Sequence, residues 1–236
     1  MAGIISREAR AAKGEPERNV VTRDPERTRR AILAAATAEF AAHGYGGASV
    51  NAVAERAGIN KRMLYHYYGN KQDLFLVVLE EAYADIRSSE RRLSLTDLEP
   101  LEAMRRLVLF TWRYYLDNPA FISLLNTENL YEAQHLRRSE NIRALHSPLV
   151  DTLDALLRRG VAAGVFRAGV DPVHLYISIA SLGFFYLSNA HTLSTIFGRD
   201  LRAAAALEER GEHIVEVILG YLRPDTLRPD TDRKEA

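Results

Sequence analysis

Helix-start signals recur along this sequence and constrain its fold more than any other feature. Four times, a residue whose side chain can cap a helix directly precedes a proline; the pairs are Asp24-Pro25, Asn118-Pro119, Ser147-Pro148 and Asp171-Pro172. A capping side chain accepts a hydrogen bond from a free amide of the first turn, and proline at the first helical position removes no donor that the helix needs. Apolar residues after these pairs are mostly spaced by three and four, without sustained alternation. The pattern predicts an all-α protein with about nine helices.

The predicted helices form two domains between polar ends. Residues 1–23 and 224–236 are expected to be polar tails. Residues 24–70 are expected to hold three helices and are called the head below; residues 71–223 hold the other helices and are called the body. The predicted helices cover residues 25–43, 50–57, 61–67, 71–92, 98–117, 119–130, 139–163, 172–197 and 200–222.

Charge is distributed unevenly along the chain, although the net charge is zero. Residues 1–71 hold 12 Lys and Arg against 7 Asp and Glu, whereas the remaining residues hold 19 against 24. A basic N-terminal part on an acidic remainder favours a polyanionic partner for the N-terminal part alone. Solvated faces without any partner give the same asymmetry, so charge alone leaves both interpretations open.

The segment 49–71 carries the most specific pattern in the sequence. Its apolar residues predict two short helices, and between them Gly58 suits the left-handed conformation of a sharp turn. Asn60 then caps the second helix. Ala54, the glycine four positions later and Leu64 six positions after that have the spacing of a helix-turn-helix. An ordinary corner between two helices has a similar spacing and is the alternative.

The second of these short helices has an outward face of cationic and hydrogen-bonding side chains. They belong to Lys61, Arg62, Tyr65 and His66. On a recognition helix they would face the major groove of DNA, and on an ordinary corner they would form a solvated surface. The apolar residues Met63, Leu64 and Tyr67 are expected to face the core.

The segment 27–79 resembles the DNA-binding domain of the tetracycline-repressor-like (TetR) family. The residues that carry the resemblance are Arg29, Ala31, Ile32, Leu33, Ala35, Ala36, Phe40, His43, Gly44 and Tyr45, then Ser49, Val53, Ala54, Ala57 and Gly58, then Lys61, Leu64, Tyr65, Tyr67, Tyr68, Lys71, Leu74 and Phe75. The family often has threonine in place of Ser49, serine in place of Asn60 and phenylalanine in place of Tyr68. The first two replacements keep a capping side chain, and the third adds a hydroxyl that needs a partner.

The resemblance implies roles for the residues of the recognition helix. Asn60 begins the helix, Lys61 contacts the DNA backbone, and Arg62 occupies a variable position that suits base reading. An arginine there can pair with guanine through two hydrogen bonds. Tyr65 and His66 correspond to family positions that contact phosphate and base methyl groups.

Two flanking residues complete the DNA-binding set that the resemblance implies. Ser49 and the amides after it are expected to hold a phosphate at a helix N-terminus. Lys71 opens the fourth helix, where its charge and the free amides favour another phosphate.

The body is rich in aromatic residues, most of which are expected to be core. Polar residues among them need partners when buried, and either a neighbouring side chain or a ligand can supply them. The resemblance implies a small-molecule pocket among these helices but does not locate it. The aromatic residues themselves suit a flat apolar ligand, and an asparagine is available to fix its polar edge. We assign this pocket to Trp112, Tyr115, Phe121, Asn126, Asn129 and Phe184.

The last two predicted helices correspond, by the same resemblance, to the family's dimer interface, in which each of two subunits contributes two helices to a four-helix bundle. An apolar stripe in the last helix is assigned to this interface through Ile214, Val217, Ile218 and Tyr221. Packing within one subunit is the alternative. Dimerisation gives a reason for doubling the helix-turn-helix, because one short helix reads few bases.

Segments 128–139 and 147–201 also resemble one C-terminal subgroup of the family, whose members include regulators of pyrimidine and nicotinate catabolism. This resemblance implies a small aromatic or heterocyclic effector.

Several classes of protein are disfavoured by the sequence. Cysteine is absent, which excludes disulfides and thiolate sites and fits a reducing cytoplasm. The first 24 residues have no apolar run, and the most apolar stretch, 176–187, is too short to span a bilayer. There is no nucleophile elbow, phosphate-cradling glycine loop or close His/Glu metal spacing, so we expect neither an enzyme nor a bound cofactor or metal.

These features together predict a ligand-responsive regulator that binds double-stranded operator DNA as a homodimer. We expect a repressor that a small-molecule inducer releases from DNA. Activation stays open, because it depends on where the operator lies relative to the promoter.

Overall fold

The protein is all-helical over residues 24–224, the part that the computed structural model describes. Its ten α-helices are α1 (Pro25–Gly47), α2 (Val50–Arg56), α3 (Lys61–Tyr68), α4 (Lys71–Arg91), α5 (Pro100–Asp117), α6 (Pro119–Leu130), α7 (Ile142–Ala162), α8 (Pro172–Ser188), α9 (Ala190–Phe197) and α10 (Ala204–Leu222). Short 3-10 turns occur at Leu95–Asp97 and Leu136–Arg138. The all-α prediction is confirmed, and both predicted tails lie outside the described residues except for Pro224.

Three of the four predicted pairs begin a helix, and in two of them the side chain caps it as expected. The Asp24 carboxylate accepts from the Glu26 amide at 3.0 Å, and that of Asp171 accepts from the His174 amide at 2.8 Å. Asn118 instead donates its side-chain amide to the Tyr114 carbonyl at 2.9 Å, so it closes α5 rather than capping α6.

The Ser147-Pro148 pair does not start a helix, because Pro148 lies inside α7. The Ser139 hydroxyl accepts from the Ile142 amide at 3.1 Å and marks the start of that helix instead.

The predicted helix 172–197 is two helices, which corrects the count from nine to ten. The Asn189 side-chain amide donates to the Phe185 carbonyl at 2.9 Å, which takes up an acceptor at the end of α8. The axes of α8 and α9 differ by 69° across this residue. The last helix begins at Ala204 rather than at residue 200.

The core of the head extends into the body. Ile32 and Phe40 of α1 pack with Leu64 of α3, and the same cluster includes Leu74 of α4 and Leu124 of α6. The N-terminal half of α4 thus belongs to the head's core, and the boundary that we placed at residue 70 falls inside this core. A rotation of α4 must therefore act on the head directly.

A second buried connection joins α6 to the head. The Glu128 carboxylate accepts from the amides of His135 and Leu136, each at 2.9 Å, and lies 2.6 Å from Nδ1 of His135. The His135 ring is buried, with its centroid 4.4 Å from that of Tyr45 in α1 and 4.8 Å from that of Phe75 in α4. The segment after α6 is thereby fixed against α1 of the head and the N-terminal part of α4.

No single helix within residues 24–224 is both long and apolar enough to cross a membrane, although the bent pair α8 and α9 passes that test together by length and composition.

Candidate nucleic-acid interface

Ser49, the residue before helix α2, makes two hydrogen bonds at the start of that helix. The Ser49 hydroxyl accepts from the Ala52 amide at 3.4 Å, and the Ser49 amide donates to the buried Glu39 carboxylate at 2.9 Å. Glu39 lies on the otherwise apolar face of α1 and also approaches Arg56 of α2 at 3.9 Å. Sequence analysis missed this carboxylate, although a lone acid between Ala36 and Phe40 of a buried helical face is a signal for such a role.

The turn into α3 has the predicted chemistry. Gly58 has a φ of 67°, a left-handed conformation that residues with a Cβ rarely adopt. The Asn60 side chain accepts from the Met63 amide at 2.8 Å and caps α3. Leu64 is fully buried in the head's core, so it fixes which face of α3 points outward.

The outward face of α3 carries the four predicted side chains. Lys61, Arg62, Tyr65 and His66 are all exposed. The Lys61 ammonium lies 5.7 Å from the Tyr65 ring centroid, which puts a cation and an aromatic hydroxyl on one side of the helix. These groups offer hydrogen-bond donors along a short helix, as base-edge and phosphate contacts require.

Lys71 is half-buried rather than projecting freely. Its ammonium lies 4.9 Å from the Tyr45 ring centroid and 3.5 Å from the Gly46 carbonyl oxygen. It therefore fixes the start of α4 against the end of α1. An ammonium has three donor hydrogens, so a phosphate contact remains compatible with this position.

The Tyr68 hydroxyl, which the phenylalanine common in the family lacks, has a hydrogen-bond partner. It donates to the Arg29 carbonyl at 3.3 Å. The neighbouring Tyr67, assigned to the core, is half-buried against it, with the Arg29 guanidinium 5.6 Å from the Tyr67 ring centroid. These contacts anchor α3 to α1.

Comparison with known proteins identifies the family. Residues 32–78 match the sequence model for bacterial regulatory proteins of the tetR family, and residues 100–218 match that for the tetracyclin repressor-like C-terminal domain. The chain belongs to the TetR family. It is a DNA-binding transcriptional regulator, and TetR-family regulators bind operator DNA and small-molecule effectors and act as dimers.

Named relatives agree with this assignment. The HTH-type transcriptional repressor NicS of Pseudomonas putida is 40% identical over 198 residues, which cover 84% of this chain and 93% of NicS. The HTH-type transcriptional regulator RutR of Escherichia coli is 27% identical over 196 residues, covering 83% and 91%. The crystal structure of the TetR-family regulator PfmR of Thermus thermophilus superimposes with a TM-score of 0.60 at 26% identity, over 83% of this chain and 97% of PfmR.

The residues that we assigned to an effector pocket do not converge on one cavity. Tyr115 and Asn126 line a cavity of about 450 Å³ beside α8 and α9. Asn129 is exposed, and its side-chain amide donates to the Leu125 carbonyl at 2.8 Å.

The three remaining residues of that set pack inside the body. Trp112 is buried, and its indole N–H donates to the Leu207 carbonyl at 3.2 Å. Phe121 is buried with its ring stacked on that of Tyr115, and half-buried Phe184 packs against the same cluster. Trp112 and Phe121 are therefore core residues, because neighbouring side chains already cover their surfaces.

The apolar stripe of α10 divides between two faces, which corrects half of the dimer assignment. Ile214 and Ile218 are each 1% exposed in the core of their own subunit, so they have no surface left for a second one. Val217 and Tyr221 are 40% and 44% exposed. The outward face of α10 is thus formed by the second pair.

Sequence analysis also missed a buried ion pair in α4. Arg87 and Glu90 lie one turn apart with their charged atoms 3.0 Å from each other. Such spacing is common on exposed helix faces, so the sequence held no sign of burial.

Proposed function

We propose that this TetR-family regulator is a repressor that binds a palindromic operator as a homodimer and releases it when a small molecule binds in the body. The observation that carries the proposal is the exposed donor face of α3, held outward by buried Leu64. The similarity to the transcriptional repressor NicS, which extends over most of the length of NicS, favours repression over activation.

The proposed DNA contacts follow from position on α2, α3 and α4. Lys61 and Lys71 bind phosphate, and Arg62 reads a base from the exposed first turn of α3. Ser49 contributes a hydroxyl that accepts its capping bond and can still donate to phosphate. Tyr65 and His66, one turn further along, reach the neighbouring backbone or base methyl groups.

Replacement of Lys61 by alanine is expected to weaken binding to every duplex by about the same factor. Loss of one phosphate contact should flatten the slope of log affinity against log salt by about one unit. Fluorescence anisotropy over a salt series measures both quantities. Arg158→Ala, which removes an exposed cation from α7, serves as the control and should leave them unchanged. A slope equal to that of the parent would remove Lys61 from the phosphate contacts.

Replacement of Arg62 by alanine is expected to cost about 1–3 kcal/mol on the preferred operator and to relax preference at one base pair in each half-site. Selection from a pool of random duplexes, with the parent and the variant in parallel, measures the preference. Arg62→Lys keeps the charge but loses the planar donor fork, so it should relax preference in the same way. An identical consensus for all three proteins contradicts the assignment.

The proposed dimer interface is the outward apolar face of α8 together with Val217 and Tyr221 of α10. Three exposed residues of α8, Val173, Ile177 and Phe185, repeat at intervals of four or eight and so share one face of that helix. Exposed apolar residues in such a row mark an interaction surface. A second copy of the chain would bury this face by a two-fold axis and form the bundle of four helices.

Helix α4 is the proposed link between effector and operator. It runs from Lys71 beside α3 to Arg91 in the body. The two recognition helices of the dimer must lie about 34–36 Å apart to enter successive major grooves. A shift of the far end of α4 changes this separation, and a ligand causes release when it binds more tightly to the shifted state.

A further inference from the structure

A buried arginine in the body has hydrogen-bonding capacity that the chain does not use. Arg87 is 2% exposed, and its Nη2 donates to the Tyr176 hydroxyl at 3.2 Å. Its Nη1 lies 3.0 Å from the Glu90 carboxylate, an ion pair without the alignment of a hydrogen bond. Nε is buried and has no hydrogen-bond partner. Buried donors in native proteins are nearly always bonded, so this one calls for a partner.

The arginine lines a cavity between the end of α4 and α7. The cavity has a volume of about 210 Å³, below the 300–1,000 Å³ typical of pockets for drug-sized ligands. Arg87, Glu90 and Arg91 form one side, and Leu145, Pro148 and Leu149 form an apolar wall. These dimensions and walls suit a small molecule with one polar end and an apolar body.

Charge in this cavity favours an anion. The lining includes two arginines and one glutamate. Burial raises the pKa of Glu90 to about 7, although the charges of Arg87 and Arg91 oppose the rise. Near neutral pH the glutamate is therefore partly neutral, and the arginine charges are incompletely balanced. A negative ligand relieves this imbalance, whereas a neutral one does not.

We propose that this cavity is the effector site and that it binds a small monocarboxylate, with one carboxylate oxygen accepting from Arg87 and the rest of the molecule against Leu145, Pro148 and Leu149. The proposal rests on the effector-controlled function proposed above. The Arg87 guanidinium, an N–H donor with a permanent positive charge, favours a carboxylate at the polar end of the ligand. The apolar wall disfavours an inorganic anion, which would leave it empty.

The position of Arg87 suits control of the head. It lies 16 residues after Lys71 on one continuous helix, which is about 24 Å along the axis at 1.5 Å per residue. A ligand held between α4 and α7 acts on the far end of the same helix that packs into the head's core. Binding at this cavity therefore reaches the recognition helix through one rigid element.

The test is calorimetry of the full-length dimer without DNA. The probes are benzoate, the three pyridinecarboxylates and cyclohexanecarboxylate, each beside its own carboxamide, with inorganic phosphate as a further probe. We expect one or more acids to bind about tenfold or more tightly than the matching amide, because a hydrogen bond to a charged group contributes about that factor.

Variants separate binding at Arg87 from binding elsewhere. Arg87→Met should abolish the preference for acid over amide, and Arg92→Met, which removes an exposed arginine at the end of α4, should keep it. If Arg87→Met does not fold, the double variant Arg87→Met/Glu90→Met removes both buried charges together, and a buried ion pair is often replaced by apolar residues without loss of stability. Circular dichroism reports folding in each case.

Four results would overturn the proposal: equal binding of acids and amides, unchanged acid binding by the Arg87 variants, binding of phosphate alone, or no binding by any acid. Since no DNA is present, such a failure leaves operator binding and effector release as they stand. An acid that binds at Arg87 without affecting the operator would support a carboxylate site in this cavity but would contradict its assignment as the effector site.

Discussion

Replacement of Ile177 by aspartate is expected to give a folded monomer that binds operator DNA roughly a hundredfold or more weakly than the parent. Ile177 is 52% exposed in the isolated chain, so a carboxylate there costs the monomer little. In the proposed dimer the two-fold axis buries a carboxylate from each copy without a partner, and an uncompensated buried charge costs about 3–5 kcal/mol. Each tenfold change in affinity corresponds to about 1.4 kcal/mol.

Sedimentation velocity measures the oligomeric state, and anisotropy measures operator affinity. Leu130→Asp is the matched control, because Leu130 is also an exposed apolar residue but lies on α6, away from the proposed interface. It should remain dimeric with unchanged affinity. A dimeric Ile177→Asp protein would place the interface on another face.

Replacement of Glu128 by alanine is expected to lower the free energy of unfolding by about 3–5 kcal/mol, since it leaves two amides and an imidazole without their acceptor and each such group costs about 1–3 kcal/mol. For a chain of this size that loss lowers Tm by about 2–4 °C per kcal/mol. Because His135 packs on Tyr45 and Phe75, the head should loosen from the body, and operator affinity should fall as well.

Thermal and urea unfolding measure the loss of stability. Glu128→Gln keeps an oxygen that can accept from the amides but loses the charge, so its stability should lie between those of the alanine variant and the parent. Glu140→Ala, at an exposed glutamate after the same segment, should change stability little. A Glu128→Ala protein as stable as the Glu140 variant would mean that the buried contacts contribute nothing net.

Local features of the fold could be predicted because their causes are local. The cap at Asn60 and the left-handed turn at Gly58 depend on a few neighbouring residues, and both occur as expected. The break at Asn189 could not be foreseen, because no glycine or proline accompanies it.

The assignment of residues to faces was less accurate where both faces of a helix are apolar. Spacing alone cannot tell whether Ile214 and Ile218 or Val217 and Tyr221 face the core, since the answer depends on which helices pack beside α10. In α3 only one face is apolar, and there the outward residues Lys61 and Arg62 were correctly separated from Leu64.

Long-range polar contacts were not predictable from the sequence. Glu128 and His135 are seven residues apart across a turn with positive φ at Glu132 and Ala133, so no helical period brings them together. Arg87 and Glu90 have an ordinary surface spacing, and their burial results from packing of α4 against other elements of the body. Both pairs depend on tertiary structure that a pattern of residue types does not encode.

The most direct measurement of the central claim is the affinity of one effector for the free and the operator-bound dimer. The effector is the acid of the probe panel that binds most tightly, and the operator is the duplex recovered by selection with the parent protein. If the effector releases DNA, the operator must weaken effector binding by the same factor by which the effector weakens operator binding, typically about 5–150-fold. We predict that calorimetry gives a reduction in this range for the parent dimer. Equal affinity of the acid for the free and the DNA-bound protein would contradict effector-controlled release.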